Sequence, residues 1–231
     1  MVEIDAAMQG RITAIRQALL DAFGMPEWRD PLPPVDELVS TILSQNTNDV
    51  NRDAAFHNLV DSFDDWQSVM NAEAEQVVDA IRTAGLANQK GPRIQGALRA
   101  ITDATDGDLD LEFLRDLPLE AARDWLMALK GVGPKTAAIV LLFSMGIPAF
   151  PVDTHIYRVT GRLGVRPEGL SVEKAHAYLE EHIPPEAYYD LHLNLIRLGR
   201  EVCGARSWHC TRCPLVDDCE FDQKNLTPKE K

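Results

Sequence analysis

The segment Leu129–Ala137, with the sequence LKGVGPKTA, is the turn between two helical patterns around which the rest of the chain can be read. Gly131 and Gly133 permit backbone angles that are closed to other residues, and they let a ligand approach the main chain closely. Pro134 stands at the predicted first position of the following helix, where its missing N–H costs nothing. The N–H groups of such a turn, with the positive end of the next helix, form a phosphate site. A plain helix–helix turn with glycine caps is the alternative, but the complete string favours phosphate binding.

Apolar residues on both sides of this segment recur at helical spacing. The segment Ala137–Phe143 is apolar on all sides, which predicts a central buried helix. No stretch alternates persistently between apolar and polar residues, so the chain is predicted to be all-α with negligible sheet content. Two amphipathic helices are predicted from the spacing of Val35, Leu38, Val39, Ile42 and Leu43, and of Val172, Ala175, His176 and Leu179.

The composition is that of a globular protein, and its net charge has two possible interpretations. The chain has 231 residues, and its 45% hydrophobic content is enough for real cores. The N-terminal sequence lacks the blocks of a signal peptide, and the longest apolar run is too short to span a membrane, so a soluble cytoplasmic protein is expected. The 36 acidic and 23 basic residues give a net charge of −13, which repels nucleic acid at long range. This charge fits either adaptation to a salty cytoplasm, where screening mutes the repulsion, or an acidic solvated back face.

The four cysteines of the chain stand close together near its C-terminus. Their spacing is C-x6-C-x2-C-x5-C, and so many thiols in one short segment predict a tetrathiolate metal site. Zinc ribbons usually have two C-x-x-C pairs, whereas this segment has one pair flanked by lone cysteines, which favours a 4Fe–4S cluster over zinc. Two disulfides are the remaining alternative, disfavoured because intracellular thiols stay reduced. The predicted ligands are Cys203, Cys210, Cys213 and Cys219.

Three segments of the chain carry a resemblance to a known family. Leu129–Ala137 resembles the hairpin of the helix–hairpin–helix DNA glycosylases, and Pro151–Val159, PVDTHIYRV, resembles the catalytic aspartate segment that follows it. Leu43–Asp49 resembles the wedge loop of the endonuclease III branch, whose cysteine spacing the chain also shares. The resemblance implies two helical domains with a DNA-binding cleft between them. These are a bundle with the hairpin at residues 31–147, and a terminal-helix and iron–sulfur cluster domain at residues 1–30 plus 148–231.

The resemblance also implies a bifunctional DNA glycosylase/AP lyase that excises oxidised pyrimidines, such as thymine glycol, by flipping the base out of the duplex. Lys135 falls on the position of the catalytic lysine, whose amine attacks the sugar, forms a Schiff base and permits β-elimination. Asp153 falls on the second catalytic position, and it is also predicted to be the N-cap of the helix Thr154–Leu163. A mismatch-type thymine or adenine DNA glycosylase is the alternative enzyme, against which Lys135 counts. A non-catalytic DNA-binding module that uses the hairpin is the alternative from another class.

Double-stranded DNA with damaged bases or abasic sites is the implied partner, bound by a monomer without membrane association. Asn46 falls at a glutamine wedge position, although Gln45, one residue earlier, leaves the register open. Leu86 falls at an apolar wedge position, with ordinary core packing as the alternative. His155 is included among the DNA contacts, but it is interpreted as a structural histidine rather than an acid or base. The other expected DNA contacts are Lys90, Arg93, Lys130, Gly131, Val132, Gly133, Thr136, Arg206 and Arg212.

Overall fold

The computed structural model describes residues 6–27 and 30–227, which are mainly helical. β-strands are absent from these ranges, which contain an isolated bridge between Cys203 and Trp208. The prediction of an all-α fold is therefore confirmed. The described helices are α1 (Ala6–Phe23), α2 (Pro34–Ser44), α3 (Asp49–Ser62), α4 (Trp66–Asn71), α5 (Ala74–Ala80), α6 (Ala87–Ala104), α7 (Leu119–Ala128), α8 (Pro134–Ile139), α9 (Thr154–Arg162), α10 (Val172–His182) and α11 (Tyr188–Glu201).

The chain divides into two compact units. The first is Asp30–Ile147, with helices α2 to α8, and the second joins α1 to the residues from Pro148 onward, with α9 to α11. Across the described ranges, no helix combines the length and the apolar character that a membrane span requires. Short 3-10 turns lie at Arg82–Ala84, Glu112–Asp116, Pro185–Ala187 and Cys210–Arg212.

Helix α2 lies at the centre of the first unit, where it packs against α3, α6 and α8. Pro34 occupies its first position, which needs no N–H donor. The five apolar residues of the predicted stripe are all buried, so this prediction is confirmed. Fully burying a leucine or isoleucine side chain stabilises the fold by about 1.5–3 kcal/mol. The stripe therefore fixes α2 firmly, and with it the start of the loop that follows Ser44.

The predicted buried helix at Ala137–Phe143 is present, but its geometry changes partway along. Helix α8 ends at Ile139, and Val140–Ser144 form a π-helical turn. The N–H of Met145 donates to the carbonyl of Val140 at 3.3 Å, so the bond spans five residues and the end of the helix is wider than α geometry. The sequence carries no signal for this change, because the side chains are apolar in either geometry.

In the second unit, α10 follows the prediction except at its first residue. Ser171 caps the helix by accepting a hydrogen bond from the N–H of Lys174. Ala175, His176 and Leu179 are buried, whereas Val172 is 42% exposed. Val172 is the first residue of the helix, next to the cap, and its side chain is not covered there. The inclusion of Val172 in the buried stripe was therefore wrong.

A bidentate ion pair joins α1 to α11 within this unit. Arg16 Nε donates to Asp190 Oδ1 at 2.9 Å, and Arg16 Nη2 donates to Asp190 Oδ2 at 2.5 Å. The Asp190 side chain is only 5% exposed, against 29% for Arg16. The hydrogen bond to Asp190 raises the pKa of Arg16, which keeps the guanidinium charged. Removing one partner of such a pair leaves the other charge poorly compensated.

Asp190→Asn is expected to lower the free energy of unfolding by about 2–3 kcal/mol, because it leaves a partly buried guanidinium without its counter-charge. Asp79→Asn is the matched control, since it removes an exposed pair with Arg82 and should change the free energy of unfolding by less than about 1 kcal/mol. Urea unfolding at a single pH measures both. Equal losses in the two variants would contradict the stabilising role of the Arg16 pair.

Candidate functional site

The hairpin between α7 and α8 is built on Gly131, whose φ of 88° lies in the left-handed region. The N–H of Val132 donates to a carbonyl of the turn at 3.0 Å and is therefore engaged. Lys130 and Gly131 are exposed, and Gly133 is half-buried. The side chains of Val132 and Thr136 are buried. These two side chains therefore present little surface to a ligand, and the DNA contacts of Val132 and Thr136 stay predictions.

A second reason for glycine at position 131 is a side chain that packs against it. A Cβ on Gly131 would lie 2.6 Å from Cδ of Arg93, which is far too close. Arg93 is half-buried, and its Nη1 lies 3.4 Å from Oε1 of Gln45. Gln45 in turn donates from Nε2 to the carbonyl of Gly131 at 2.8 Å. Arg93 and Gln45 thus brace the hairpin from within the first unit, and a phosphate contact of Arg93 stays a prediction.

Lys135 is the second residue of α8, immediately after the hairpin, and its side chain is half-buried. The three residues that follow it, Thr136, Ala137 and Ala138, are buried and anchor the start of the helix in the core. The main chain at Lys135 is therefore held on one side by the braced hairpin and on the other by the core. Such fixed surroundings suit a side chain that has to reach one reacting atom.

Asp153 is the N-cap of α9, as predicted. Its Oδ1 accepts a hydrogen bond from the N–H of Ile156 at 2.8 Å, and the residue is half-buried. This bond holds one oxygen of the carboxylate and so fixes the orientation of the group. Capping and a role in chemistry are therefore compatible at this position.

The neighbouring His155 packs against α11. Its Nδ1 lies 3.1 Å from Nη2 of Arg158, and a Cβ on Gly199 would lie 2.8 Å from the Cβ of His155. Arg158 also donates to the carbonyls of Gly199 and Cys203. Arg158 is half-buried, and this burial lowers its pKa. These contacts fit the interpretation of His155 as a structural histidine.

Two loops of the first unit carry residues with strained backbones. Asn46 has a φ of 54° and is exposed, and Leu86, the N-cap of α6, has a φ of 50° and is 49% exposed. Non-glycine residues rarely adopt this region, and such strain concentrates at functional sites. The loops line one open pocket, which includes Asn46, Asn48 and Thr83. The core-packing alternative for Leu86 is therefore wrong. Asn46 rather than Gln45 faces outward, since Gln45 is engaged with the hairpin.

The predicted phosphate contact of Lys90 is wrong. Lys90 is fully buried, and its Nζ donates to the carbonyls of Leu43 at 2.8 Å and Ala84 at 2.9 Å. Burial, and secondly the charge of Arg93, lower the pKa of Lys90. The sequence did contain a signal for this burial. Lys90 stands four residues before Ile94, on the same helical face as the buried stripe of α6.

The four cysteines line one cavity, which is partly open to solvent. Each is partly buried, and the remaining lining is mainly apolar, with Val202, Trp208, Val216 and Phe221. Burial, with the neighbouring thiols, raises the pKa of Cys213 to about 11, and burial also raises the pKa of Cys219. Four thiols so placed become thiolates only when a cationic group compensates them.

This donor set fits a 4Fe–4S cluster. All four cysteines line one cavity, and four thiolates are the donor set that such a cluster would need. Within the described ranges, no three His, Cys, Asp or Glu side chains are grouped as they would be around one metal ion.

Arg162 contacts residues of this cavity, and sequence reasoning missed it. Its Nη1 lies 3.1 Å from Sγ of Cys203 and 2.9 Å from the carbonyl of Gly204. The guanidinium also stacks on the rings of Trp208, at 4.9 Å, and Phe221, at 4.3 Å. Such a cation stabilises thiolates electrostatically. It stands 41 residues before Cys203, so the spacing gave no signal. Arg206 and Arg212, predicted as DNA contacts, are exposed on the same loop.

Comparisons with known proteins all indicate the same family. A family model described as HhH-GPD superfamily base excision DNA repair protein matches residues 39–185. Endonuclease III of Sulfolobus acidocaldarius is 34% identical over 191 residues, which are 82% of this chain and 82% of that protein. Endonuclease III of Escherichia coli (strain K12) is 33% identical over 191 residues, 83% of this chain and 85% of that protein. A putative DNA glycosylase of Arabidopsis thaliana is 39% identical over 169 residues. These residues are 73% of this chain but only 57% of that protein.

Solved structures agree with these relatives. A trapped endonuclease III–DNA covalent intermediate matches with a TM-score of 0.78 at 29% identity, covering 91% of this chain and 95% of that one. A non-covalent endonuclease III–DNA complex matches with a TM-score of 0.77 at 30% identity, covering 91% and 94%. The family model spans well over half of the chain, and the described hairpin lies inside it. The chain therefore belongs to the HhH-GPD superfamily of base excision DNA repair proteins and, within it, to the endonuclease III family of DNA glycosylases.

Proposed function

We propose that this DNA glycosylase is bifunctional: it removes oxidised pyrimidines, such as thymine glycol, from double-stranded DNA and cleaves the resulting abasic site as a lyase, acting as a monomer. The observation that carries the proposal is Lys135, a half-buried lysine in the first turn of the helix that follows the hairpin. A glycosylase without an amine nucleophile forms no Schiff base and so cannot use this route to strand cleavage. The likeness to a trapped endonuclease III–DNA covalent intermediate supports the same assignment.

Lys135 acts as the nucleophile in this proposal. Its neutral amine forms a bond to the anomeric carbon of the sugar as the glycosidic bond breaks and the bonding electrons leave with the base. Loss of a proton from nitrogen and opening of the sugar ring then give a Schiff base, which acidifies the neighbouring carbon and permits β-elimination of the 3′ phosphate. The braced hairpin and the buried turn after Lys135 hold the main chain while this happens.

Asp153 stabilises positive charge on the sugar while the base departs. Its carboxylate is already oriented by the N–H of Ile156, so no reorganisation of the group is needed at the moment of reaction. The same carboxylate can take the proton that the lysine amine releases. Asn46 and Leu86, exposed on the two strained loops, fill the gap that the flipped base leaves.

A 4Fe–4S cluster held by Cys203, Cys210, Cys213 and Cys219 is part of the proposal. When bound, the cluster links the four thiolates covalently and so holds the loop together. The protein's own contribution is the apolar cavity and the guanidinium of Arg162 beside Cys203. The exposed side chains of Arg206 and Arg212 lie on this loop and are proposed to meet phosphate.

Lys135→Gln is expected to abolish borohydride trapping and strand cleavage of a thymine glycol duplex, because the amide cannot form a Schiff base. Binding to a duplex with an abasic-site analogue should persist. Lys130→Gln is the matched control, since it removes the exposed lysine of the same hairpin. It should weaken affinity yet still give the trapped adduct at saturating DNA. Normal trapping by the Lys135→Gln protein would show that the nucleophile is another residue.

Asp153→Asn is expected to reduce single-turnover excision by about 10²–10⁴-fold, the usual effect of removing a catalytic group. Asparagine is as good an N-cap as aspartate, so thermal stability should hardly change. Asp153→Ala, which removes the cap as well, should lower both activity and stability. If Asp153→Asn kept full excision activity, capping would be the only function of this carboxylate.

Protein purified without oxygen is expected to be coloured and to contain about four irons per chain, as an all-cysteine 4Fe–4S site requires. Cys213→Ser should lose iron and expose the loop from Cys203 to Cys219 to proteolysis before the first unit is affected. Elemental analysis with visible absorption spectroscopy makes the measurement. Stoichiometric zinc without visible absorption would refute the cluster.

A further inference from the structure

The loops that carry Asn46 and Leu86, called the two wedge loops from here on, share one internal support, the side chain of Lys90. Its Nζ donates to the carbonyl of Leu43 at 2.8 Å and to that of Ala84 at 2.9 Å, and none of the residue is exposed. Both acceptors are carbonyls at the ends of helical segments, since α2 ends at Ser44 and the 3-10 turn ends at Ala84. Such carbonyls lack partners within their own helix and carry partial negative charge, so a buried cation suits them.

The loops begin where Lys90 holds them. Asn46 follows Leu43 by three residues, and Leu86 follows Ala84 by two. Both residues adopt left-handed backbone angles, which persist only where the surroundings enforce them. Lys90 itself lies in the first turn of α6, four residues after Leu86, and its N–H donates to the Leu86 carbonyl at 3.0 Å. One residue therefore reaches both loops, through its main chain and through its side chain.

The same helix also reaches the third element that faces the substrate. Arg93, one turn after Lys90, packs on Gly131 of the hairpin and contacts Gln45, the residue before Asn46. Gln45 donates to the Gly131 carbonyl. The start of α6 is thus the common anchor of the hairpin and of both wedge loops, all within the first unit.

We propose that Lys90 is a positioning residue for base extrusion: its buried ammonium fixes the spacing between the Asn46 and Leu86 loops, so that both wedges are in place before DNA arrives. The proposal rests on the proposed function for its catalytic consequence, but the fixing of the loops does not. Lys90 contacts neither substrate nor reacting atoms. It acts by ordering the loops before DNA binds, which lowers the conformational entropy that binding costs.

The first test measures the loops without DNA. Lys90→Met keeps the length and apolar stem of the side chain but removes the ammonium. Hydrogen exchange at residues 44–48 and 83–86 should become faster by on the order of tenfold, as expected from the loss of charge-assisted hydrogen bonds. Exchange in α9 to α11 should stay as in the parent protein. Arg82→Met is the control, because it removes an exposed cation from the same loop.

The second test measures catalysis on a thymine glycol duplex. The single-turnover excision rate constant of Lys90→Met should fall on the order of 100-fold, the effect of a small misplacement of positioned groups. Affinity for undamaged duplex should stay within roughly twofold, because no phosphate contact is lost. Fluorescence of 2-aminopurine placed opposite an abasic-site analogue should rise with the parent protein and much less with Lys90→Met. Arg82→Met should keep parental excision.

Different failures give different results. If the parent protein excised no oxidised pyrimidine, the proposed function would fail, while the exchange experiment would still decide whether Lys90 fixes the loops. Parental exchange in both loops of Lys90→Met would overturn the inference, and so would faster exchange spread through the whole first unit, which indicates a merely structural role. If Lys90→Met gave no folded protein, Lys90→Gln, which keeps a donor group, would carry the same comparisons with a smaller expected loss.

Discussion

A buried ammonium group has to keep its hydrogen bonds, because no water is at hand to replace them, and this constraint organises the first unit around Lys90. Satisfying it requires that the ends of α2 and of the 3-10 turn at Arg82–Ala84 stay within reach of one side chain. Arg93 on the next turn adds the hairpin through Gly131 and Gln45. Segments far apart in sequence are thereby held by two cations on one helix.

The chain carries fewer cations than anions, and several of them are used internally. Arg16 pairs with Asp190, Lys90 binds carbonyls, and Arg162 contacts Cys203 and two aromatic rings. The cations left exposed near the proposed DNA-binding elements include Lys130, Arg206 and Arg212. Few cations neutralise few phosphates and release few counterions, so under the proposed function we expect DNA affinity to depend more on the fit of the wedges and the pocket than on bulk attraction.

Local patterns predicted a large part of this structure. The α2 stripe, the hairpin and the Asp153 N-cap each depend on residues within a few positions of one another, so helical spacing and capping chemistry suffice to find them. The failures have a different origin. Lys90 was interpreted by its charge, although its spacing from Ile94 placed it on the buried face, and Arg162 reaches the cysteines only through the packing of α9. The π-helical turn at Val140–Ser144 has no sequence signal, because hydrophobicity does not distinguish it from an α-helix.

The left-handed backbone at Asn46 and Leu86 has a consequence for how this protein can change. Each residue adopts an angle that glycine would adopt with less strain, and the excess is of order 1–3 kcal/mol per position. A selection for heat resistance alone would therefore favour glycine at both sites and would reward the loss of the two side chains that we propose to enter the duplex. Thermostability and repair activity thus pull these positions in opposite directions, and they are where an engineered, hyperstable version of this enzyme would first become a poor catalyst.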